Sequence, residues 1–401
     1  MSDIFKGCEL LCPAGSMESL KTALHFGADA VYAGGPLMQL RSDNAAFTED
    51  DITAAVKLVH DKNKKIYITV NCFATNSEID RLSDYARFLY SAGVDAVIVS
   101  DLGSVATIKS AAPDLAVHIS TQANIQNFKT AEVYYNMGAE RVVLGREMTL
   151  DEIAELRQRT PKELEIEAFV HGAMCMSYSG RCLISSYLTG KSGNHGDCTQ
   201  PCRWMYNIVE EKRPEQHFTV IEENGTSAIL SSHDLCCIDF LDEIAKAGVT
   251  SFKIEGRMKS PYYVATVTNA YRQRINGTAD IDTIHNELEC ASHRPYSTGF
   301  YYGALKYDHN NDGLYRQSCK FIGIVLKDEG NGRYLVQQRN RFSIGDTLEI
   351  LSPNSSGKSF VVTNIKDKDG NDREVAHIPQ EILSISCPEK LYEGDFLRAR
   401  I

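Results

Sequence analysis

The 401-residue chain has a single tryptophan, and no stretch of it approaches the roughly 18 consecutive apolar residues that a membrane-spanning helix needs. The opening residues, MSDIFKGCELLCPAGS, lack the basic segment followed by an apolar one that marks a secretory leader. Positive charge is also scarce. Against 53 Asp and Glu stand 42 Lys and Arg, and the formal net charge of −11 argues against unspecific nucleic-acid binding, leaving room only for a local basic groove. Familiar catalytic signatures are missing: no HExxH of a zinc protease, no GxSxG nucleophile elbow, no GxGxxG dinucleotide loop. TGKS at 189–192 and SGKS at 356–359 lack the upstream glycine of a phosphate loop and read as turns. A cytoplasmic protein is expected, in which thiols stay reduced and clustered cysteines bind metal or do chemistry more often than they form disulfides.

Cysteine is what the chain has in quantity. Of its twelve, four fall in VHGAMCMSYSGRCLISSYLTGKSGNHGDCTQPCRW (170–204), spaced C-x6-C-x15-C-x3-C. A structural zinc site favours two tight C-x2-C or C-x4-C knuckles, and this stretch offers one short pair, Cys198 and Cys202. Iron–sulfur clusters tolerate irregular spacing because their ligands come from a folded loop and from elsewhere in the chain. Cys236 and Cys237, after AILSSHDL, are candidates for a distal ligand. Cys12, Cys72, Cys290, Cys319 and Cys387 read as ordinary buried thiols.

A weak internal repeat emerges with glycines as punctuation. FGADAVYAGG (26–35), AGVDAVIVSD (92–101), MGAERVVLGRE (137–147) and AGVTSFKIEGR (247–257) each pair a helix-ending glycine with a short β-branched run that ends in polar residues. This is the αβ unit of a parallel sheet covered on both faces. Candidate strands near 9, 30, 66, 96, 117, 141, 166 and 251 number about eight, which predicts an α/β chain with a (β/α)8-like barrel over 1–310, an open doubly wound sheet being the competing topology. A cysteine-rich, partly β insertion at about 171–237 precedes the last barrel strand. Beyond the helical patterns SPYYVATVTNAYRQRI and DTIHNELECAS, short alternating runs separated by DEGNG, PNSSG and KDGND predict a small all-β barrel domain over 317–401.

A barrel of this kind works at the C-terminal ends of its strands. The strand ends supply Asn71, Asp101, Thr121, Gln122, Arg146, Glu147, His171, Lys253, Glu255 and Arg257. Any barrel has polar strand ends, but this set is mixed in charge and convergent. It suits a polar or anionic small substrate, with Arg146, Lys253, Arg257 and also Lys259 available to clamp carboxylates. Glu147 and Gln122 complete a candidate binding set. His171, Glu255 and Lys253 are the candidate catalytic groups, the first two as proton carriers. Cys175 follows directly on the strand ending at Val170, so it is expected at the same mouth. Trp204 and the tyrosines of SPYYV suit stacking on a base, although core packing would use them equally well.

At EAFVHGAMCMSYSGRCLISSYLTG the chain resembles peptidase family U32, the collagenase-like proteins. The resemblance extends through ELLCPAGSMESLKTALHFGADAVYAGG, LRSDNAAFTEDDI, GNHGDCTQPCRW, SSHDLC, FKIEGRMKSPYYVATVTNAYR and SHRPYSTGFYYG. It implies a barrel-like domain followed by a small β domain. It also implies a 4Fe–4S cluster on four cysteines, because the branch most similar to this chain comprises tRNA hydroxylation proteins that form 5-hydroxyuridine at the wobble position without O2, with prephenate as oxygen donor. By position, Cys175, Cys182 and Cys198 match the family's cluster cysteines. Cys236 is the first choice for the fourth and Cys202 the alternative. Three functions follow from the resemblance and the residues together: an iron–sulfur tRNA hydroxylase using a small dicarboxylate; a U32-type peptidase, with Cys175 and His171 as a nucleophile–base pair; and a non-enzymatic RNA-binding or assembly factor. Zinc, or no metal, is the alternative to the cluster.

Overall fold

The structure, a computed structural model, describes residues 3–40, 46–175, 177–204, 208–209, 217–218, 233–303 and 315–401. Its strands begin with β1 (Glu9–Ala14), β2 (Ala30–Gly34), β3 (Lys65–Val70), β4 (Ala96–Val99), β5 (Ala116–Ile119), β6 (Arg141–Val143) and β7 (Glu165–Ala173). Each pairs in parallel with the next. After the short β8 (Ile208–Val209), β9 (His217–Phe218) and β10 (Asp234–Cys236), β11 (Ser251–Ile254) pairs in parallel with both β1 and β7 and closes the ring. The eight-stranded parallel barrel expected from the repeat is therefore what forms, and the open sheet is not.

The repeat glycines end helices as anticipated: Gly27, Gly93, Gly138 and Gly248 all take φ between +82 and +101. At Gly248 a Cβ would also lie 2.3 Å from Arg157 Cγ, so both backbone and packing require glycine there. The surrounding helices are α1 (Met17–His25), α2 (Glu49–His60), α3 (Asn76–Ser91), α4 (Leu102–Ala111), α5 (Phe128–Asn136) and α6 (Leu150–Gln158), then α7 (Ile184–Thr189), α8 (Leu241–Lys246), α9 (Pro261–Asn276) and α10 (Ile281–Leu288). Capping boxes at Thr48–Asp51 and Thr149–Glu152 fix the starts of α2 and α6, each cap being worth about 1 kcal/mol. A large apolar cluster fills the shell between barrel and helices, and a smaller one (Leu11, Ala30, Tyr32, Tyr67, Ala96, Ile98) fills part of the barrel's inside.

Two departures from a plain barrel shape its mouth. β7 runs on past the ring, where β10 pairs with it antiparallel and β12 (Tyr296–Ser297) pairs with β10. The register of β7 on β11 also slips between Phe169 and His171, a β-bulge. Of the insertion expected at about 171–237, the described residues beyond Trp204 are the antiparallel pair β8–β9 and, from His233, the stretch that forms β10.

From Cys319 the chain forms an antiparallel body: β13 (Cys319–Gly330), β14 (Arg333–Gln338), β15 (Phe342–Ser343), β16 (Thr347–Ser352), β17 (Ser355–Val361), β18 (Ile365–Lys366), β19 (Asp372–Arg373), β20 (Val375–Ala376), β21 (Ile382–Ser386) and β22 (Phe396–Arg400). Eight of these join in the order β17-β16-β22-β13-β14-β21-β18-β19 around their own core. The body is fastened to the barrel domain by an apolar junction that includes Phe26, Tyr262, Cys290, Cys319 and Phe396. There Cys290 and Cys319 Sγ lie 2.8 Å apart, and buried Arg398 donates to both oxygens of Glu287 in α10. No helix among the described residues is long and apolar enough to cross a membrane.

Candidate active site at the barrel mouth

Alternation along the strands decides which side chains face inward. On β11, Ser251 and Lys253 point into the barrel, with Glu255 continuing the alternation just past its end; on β7, Glu167 and Phe169 do. Of these, Lys253, Glu255 and Phe169, with Tyr32, Thr69, Asn71, Ser120, Thr121, Gln122, Arg146 and Arg257, surround a polar cavity at the C-terminal ends of the strands. Arg257 Nη1 donates to Thr69 Oγ1 at 2.6 Å, and Nη2 donates to Gln39 Oε1. Gly34 makes room for this guanidinium, since a Cβ there would lie 2.7 Å from Arg257 Nη1. Arg146 lies over the Phe169 ring at 3.9 Å, donates to the Ala173 carbonyl at 3.1 Å and approaches Glu255 at 3.8 Å. Its buried Nε has no hydrogen-bond partner. Lys253 Nζ sits 4.6 Å from the Tyr32 ring centroid. Among the described residues three cations thus line one cavity with the carboxylate Glu255.

Beneath the cavity lies a buried ionic chain. Lys253 Nζ donates to Glu167 Oε1 at 2.7 Å, while Arg141 Nη1 donates to Glu167 Oε2 at 3.0 Å and to Glu9 Oε1 at 2.7 Å. Tyr67 OH also donates to Glu9, at 2.6 Å. Burial by itself would push the Glu167 carboxyl up, but Lys253 and Arg141 outweigh it and hold it below the usual carboxylate range. Glu167 therefore stays charged, and it fixes the position of the lysine at the cavity floor.

The cysteine loop folds over this mouth. Ser179 N donates to Glu147 Oε1 at 2.8 Å, and Gly180 packs so tightly on Gln122 that a Cβ would lie 2.3 Å from its carbonyl oxygen. Thr199 N donates to Ser185 Oγ at 3.1 Å, which ties the CTQPC turn to α7 and brings the two ends of the loop together. Cys202 feels Cys175, Cys198 and Cys182 at once: burial pushes its thiol up, Arg203 pulls it down, and the three other cysteines push it up again. Cys236 belongs to β10. It pairs in register with His171 on β10, and burial pushes its thiol up to about 12 despite the adjacent Tyr271 hydroxyl. Cys236 is thus a buried thiol whose partner in register, His171, stands four residues before Cys175 in the chain. Asp234–Cys236 forms an antiparallel strand beside the end of β7, and Cys202 is the thiol on which Cys175, Cys182 and Cys198 all act.

Four thiols on one loop are a donor set that fits an iron–sulfur cluster. Among the described residues no three His, Cys, Asp or Glu side chains converge as ligands of a single ion. A four-iron cluster does not ask for that convergence, because each cysteine binds a different iron.

The structure separates the other candidates. Gln122, Arg146, Lys253, Glu255 and Arg257 line the cavity together. Glu147 serves as the anchor of the cysteine loop. His171, a candidate proton carrier, is not at the cavity: the bulge in β7 turns it outward with Ile254, among Tyr263, Tyr271 and Tyr296. Its Nδ1 lies 3.4 Å from Tyr271 OH, and its Nε2 is buried without a partner. Among the described residues no hydrogen bond joins it to Cys175, whose thiol is exposed. Glu167, Tyr32, Thr69, Ser120 and Phe169 were not singled out from the sequence. Strict alternation back from Glu255 and Lys253, carried to the paired strand, would have found Glu167 and Phe169.

Burial drives His171 down to about 3 from its ordinary 6.5. An unfolded histidine takes up a proton below 6.5, whereas the folded one stays neutral to about 3. Its contribution to stability is therefore present above pH 6.5 and is lost as the pH falls toward 3. Thermal unfolding of His171→Gln across this window is expected to show a flatter acid limb than the wild type; parallel curves would contradict the buried neutral imidazole.

Comparisons with known proteins agree with this architecture. A model of peptidase family U32 matches residues 15–311, and a model of that family's C-terminal domain matches residues 317–398. The "tRNA hydroxylation protein P1" of Bacillus subtilis (strain 168) is 37% identical over 405 residues, covering 98% of this chain and 95% of its own. The "tRNA hydroxylation protein P" of Escherichia coli (strain K12) is 33% identical over 92% of this chain and 91% of its own. A 23S rRNA 5-hydroxycytidine synthase of Escherichia coli (strain K12) is 37% identical over 67% of this chain and 39% of its own. The matched residues take in the barrel from β2 onward, the cysteine loop and nearly all of the C-terminal β body, and the chain belongs to peptidase family U32.

Proposed function

We propose that the chain is an RNA-modifying enzyme that hydroxylates a tRNA uridine, forming 5-hydroxyuridine at the wobble position without O2, with prephenate as the oxygen donor. The observation that carries this reading is the cavity itself: Lys253, Arg146 and Arg257 face one polar space at the barrel mouth, directly under a loop with four thiols. The names of the similar proteins support RNA hydroxylation as the reaction class.

Each residue has a role in this account. Arg257 and Arg146 hold the two carboxylates of the donor, Lys253 supplies the third positive charge, and the Phe169 and Tyr32 rings form the apolar wall. Glu255, next to Arg146 and within 3.5 Å of Tyr32 OH, takes the proton released from the base carbon. Cys175, Cys182, Cys198 and Cys202 would hold the 4Fe–4S cluster, which when bound supplies one-electron chemistry or a Lewis-acidic iron. The peptidase alternative needs an activated nucleophile, and among the described residues no hydrogen bond joins Cys175 to His171, the pair nominated for it.

Nucleoside analysis of bulk tRNA tests the proposal. Cells in which the gene is deleted are expected to lose 5-hydroxyuridine and its derivatives, and a plasmid-borne copy is expected to restore them. Unchanged tRNA in the deletion strain would overturn the reading, provided no second relative is present in the genome.

A further inference from the structure

The loop over the mouth carries side chains that neither the cavity nor the thiol cluster uses. Tyr187, Tyr178 and Trp204 are 88%, 59% and 43% exposed. Exposed aromatics scattered singly are ordinary, but three on one loop between residues 178 and 204, including the chain's one tryptophan, mark a surface that something covers. The charge of the segment is as unusual as its aromatic content. From 177 to 204 Arg181, Lys191 and Arg203 face one carboxylate, Asp197, in a chain of net charge −11. The loop also packs on the mouth, where Ser179 N donates to Glu147 Oε1 at 2.8 Å and Gly180 lies against the Gln122 carbonyl.

We infer that Tyr178, Tyr187 and Trp204, with Arg181, Lys191 and Arg203, form a stacking face for unpaired RNA nucleotides on either side of the base held in the cavity. This inference rests on the RNA reading above. A base can enter the barrel mouth only by leaving its stack, and its neighbours then lose a stacking partner. Aromatic faces at the rim replace that partner for any base, and the cations meet the adjoining phosphates. A protein partner is the competing occupant, since Leu183, Ile184 and Leu188 on the same loop are exposed too. The interleaved cations favour RNA.

The test is fluorescence anisotropy on the cluster-loaded full chain, with a labelled RNA stem–loop that has an unpaired uridine in its loop and a fully paired duplex of the same strand as the comparison. The wild type is expected to prefer the stem–loop. Tyr187→Ala and Trp204→Ala should each weaken it by about 5- to 150-fold, which corresponds to the 1–3 kcal/mol of one base–aromatic stack. Lys191→Ala should flatten the salt dependence by roughly one phosphate contact. Iron content and melting temperature serve as folding controls, and Tyr187 is exposed enough to be removed without loss of packing. If the wild type binds the stem–loop and the variants bind it equally well, the stacking face is wrong while the RNA reading stands. If those variants instead lose self-association measured by sedimentation, the face is a protein interface and the inference is overturned. If the wild type binds neither RNA, the inference falls together with the reading it rests on.

Discussion

Replacing Cys202 with alanine is expected to leave the anaerobically purified protein without its iron and without hydroxylation of tRNA, whereas Cys236→Ala keeps both. The loss should exceed the roughly 10- to 100-fold that removal of a supporting group costs at a metal site, because here a ligand itself is lost. The contrast follows from placement. Cys202 is on the same loop as Cys175, Cys182 and Cys198, which all act on its thiol, while Cys236 is buried beside Tyr271 on β10. Iron and sulfide assays with an absorption spectrum of each variant decide it. An iron-free Cys236→Ala protein beside an iron-loaded Cys202→Ala protein would reverse the assignment. Equal loss in both would mean that Cys236 holds the loop in a way its buried position does not suggest.

The second large effect lies beneath the cavity. Glu167→Ala leaves Lys253 and Arg141 buried with their shared counter-ion gone, although Glu9 still accepts from Arg141. Breaking a buried pair by removing one partner costs about 3–5 kcal/mol, a large fraction of the stability of an ordinary domain. Urea unfolding at neutral pH should show that loss, and Glu167→Gln should lose less because it keeps an acceptor of the same shape. The folded carboxyl is held below its ordinary 4.5, so its stabilising effect is present above that pH and disappears as the pH falls through the folded value; the gap between wild type and Glu167→Gln should close on the acid side. Lys253→Met leaves Glu167 paired with Arg141. It should therefore fold, yet bind the dicarboxylate donor about 10-fold or more weakly, the value of a charge-assisted hydrogen bond. A Glu167→Ala protein as stable as the wild type would contradict the buried ionic chain.

Much of this molecule was legible in the sequence because its signals are local. Helix-ending glycines followed by short β-branched runs marked β2, β4, β6 and β11, and the other four barrel strands lie at the remaining candidate runs. Strand ends also pointed to Gln122, Arg146, Lys253, Glu255 and Arg257, since the ends of parallel strands converge by topology alone. What was hidden depends on register. One bulge between Phe169 and His171 turns the histidine out of the site, and no residue in IEAFVHG announces it. Likewise, DLC looks like any short apolar segment, and its antiparallel pairing outside the ring, which buries Cys236 opposite His171, is set by partners distant in sequence. Glu167 was passed over because a carboxylate between apolar neighbours in a strand reads as a solvent-facing position; here it points into a barrel whose interior is partly ionic.

The account is tested most directly by incubating the anaerobically purified, cluster-loaded chain with unmodified tRNA and prephenate, digesting the RNA to nucleosides and weighing them. The prediction is a uridine heavier by one oxygen atom, formed only when prephenate is present and absent with the Cys202→Ala protein. Unaltered uridine from an iron-loaded wild type, with cleavage of an added peptide substrate in the same tube, would contradict it.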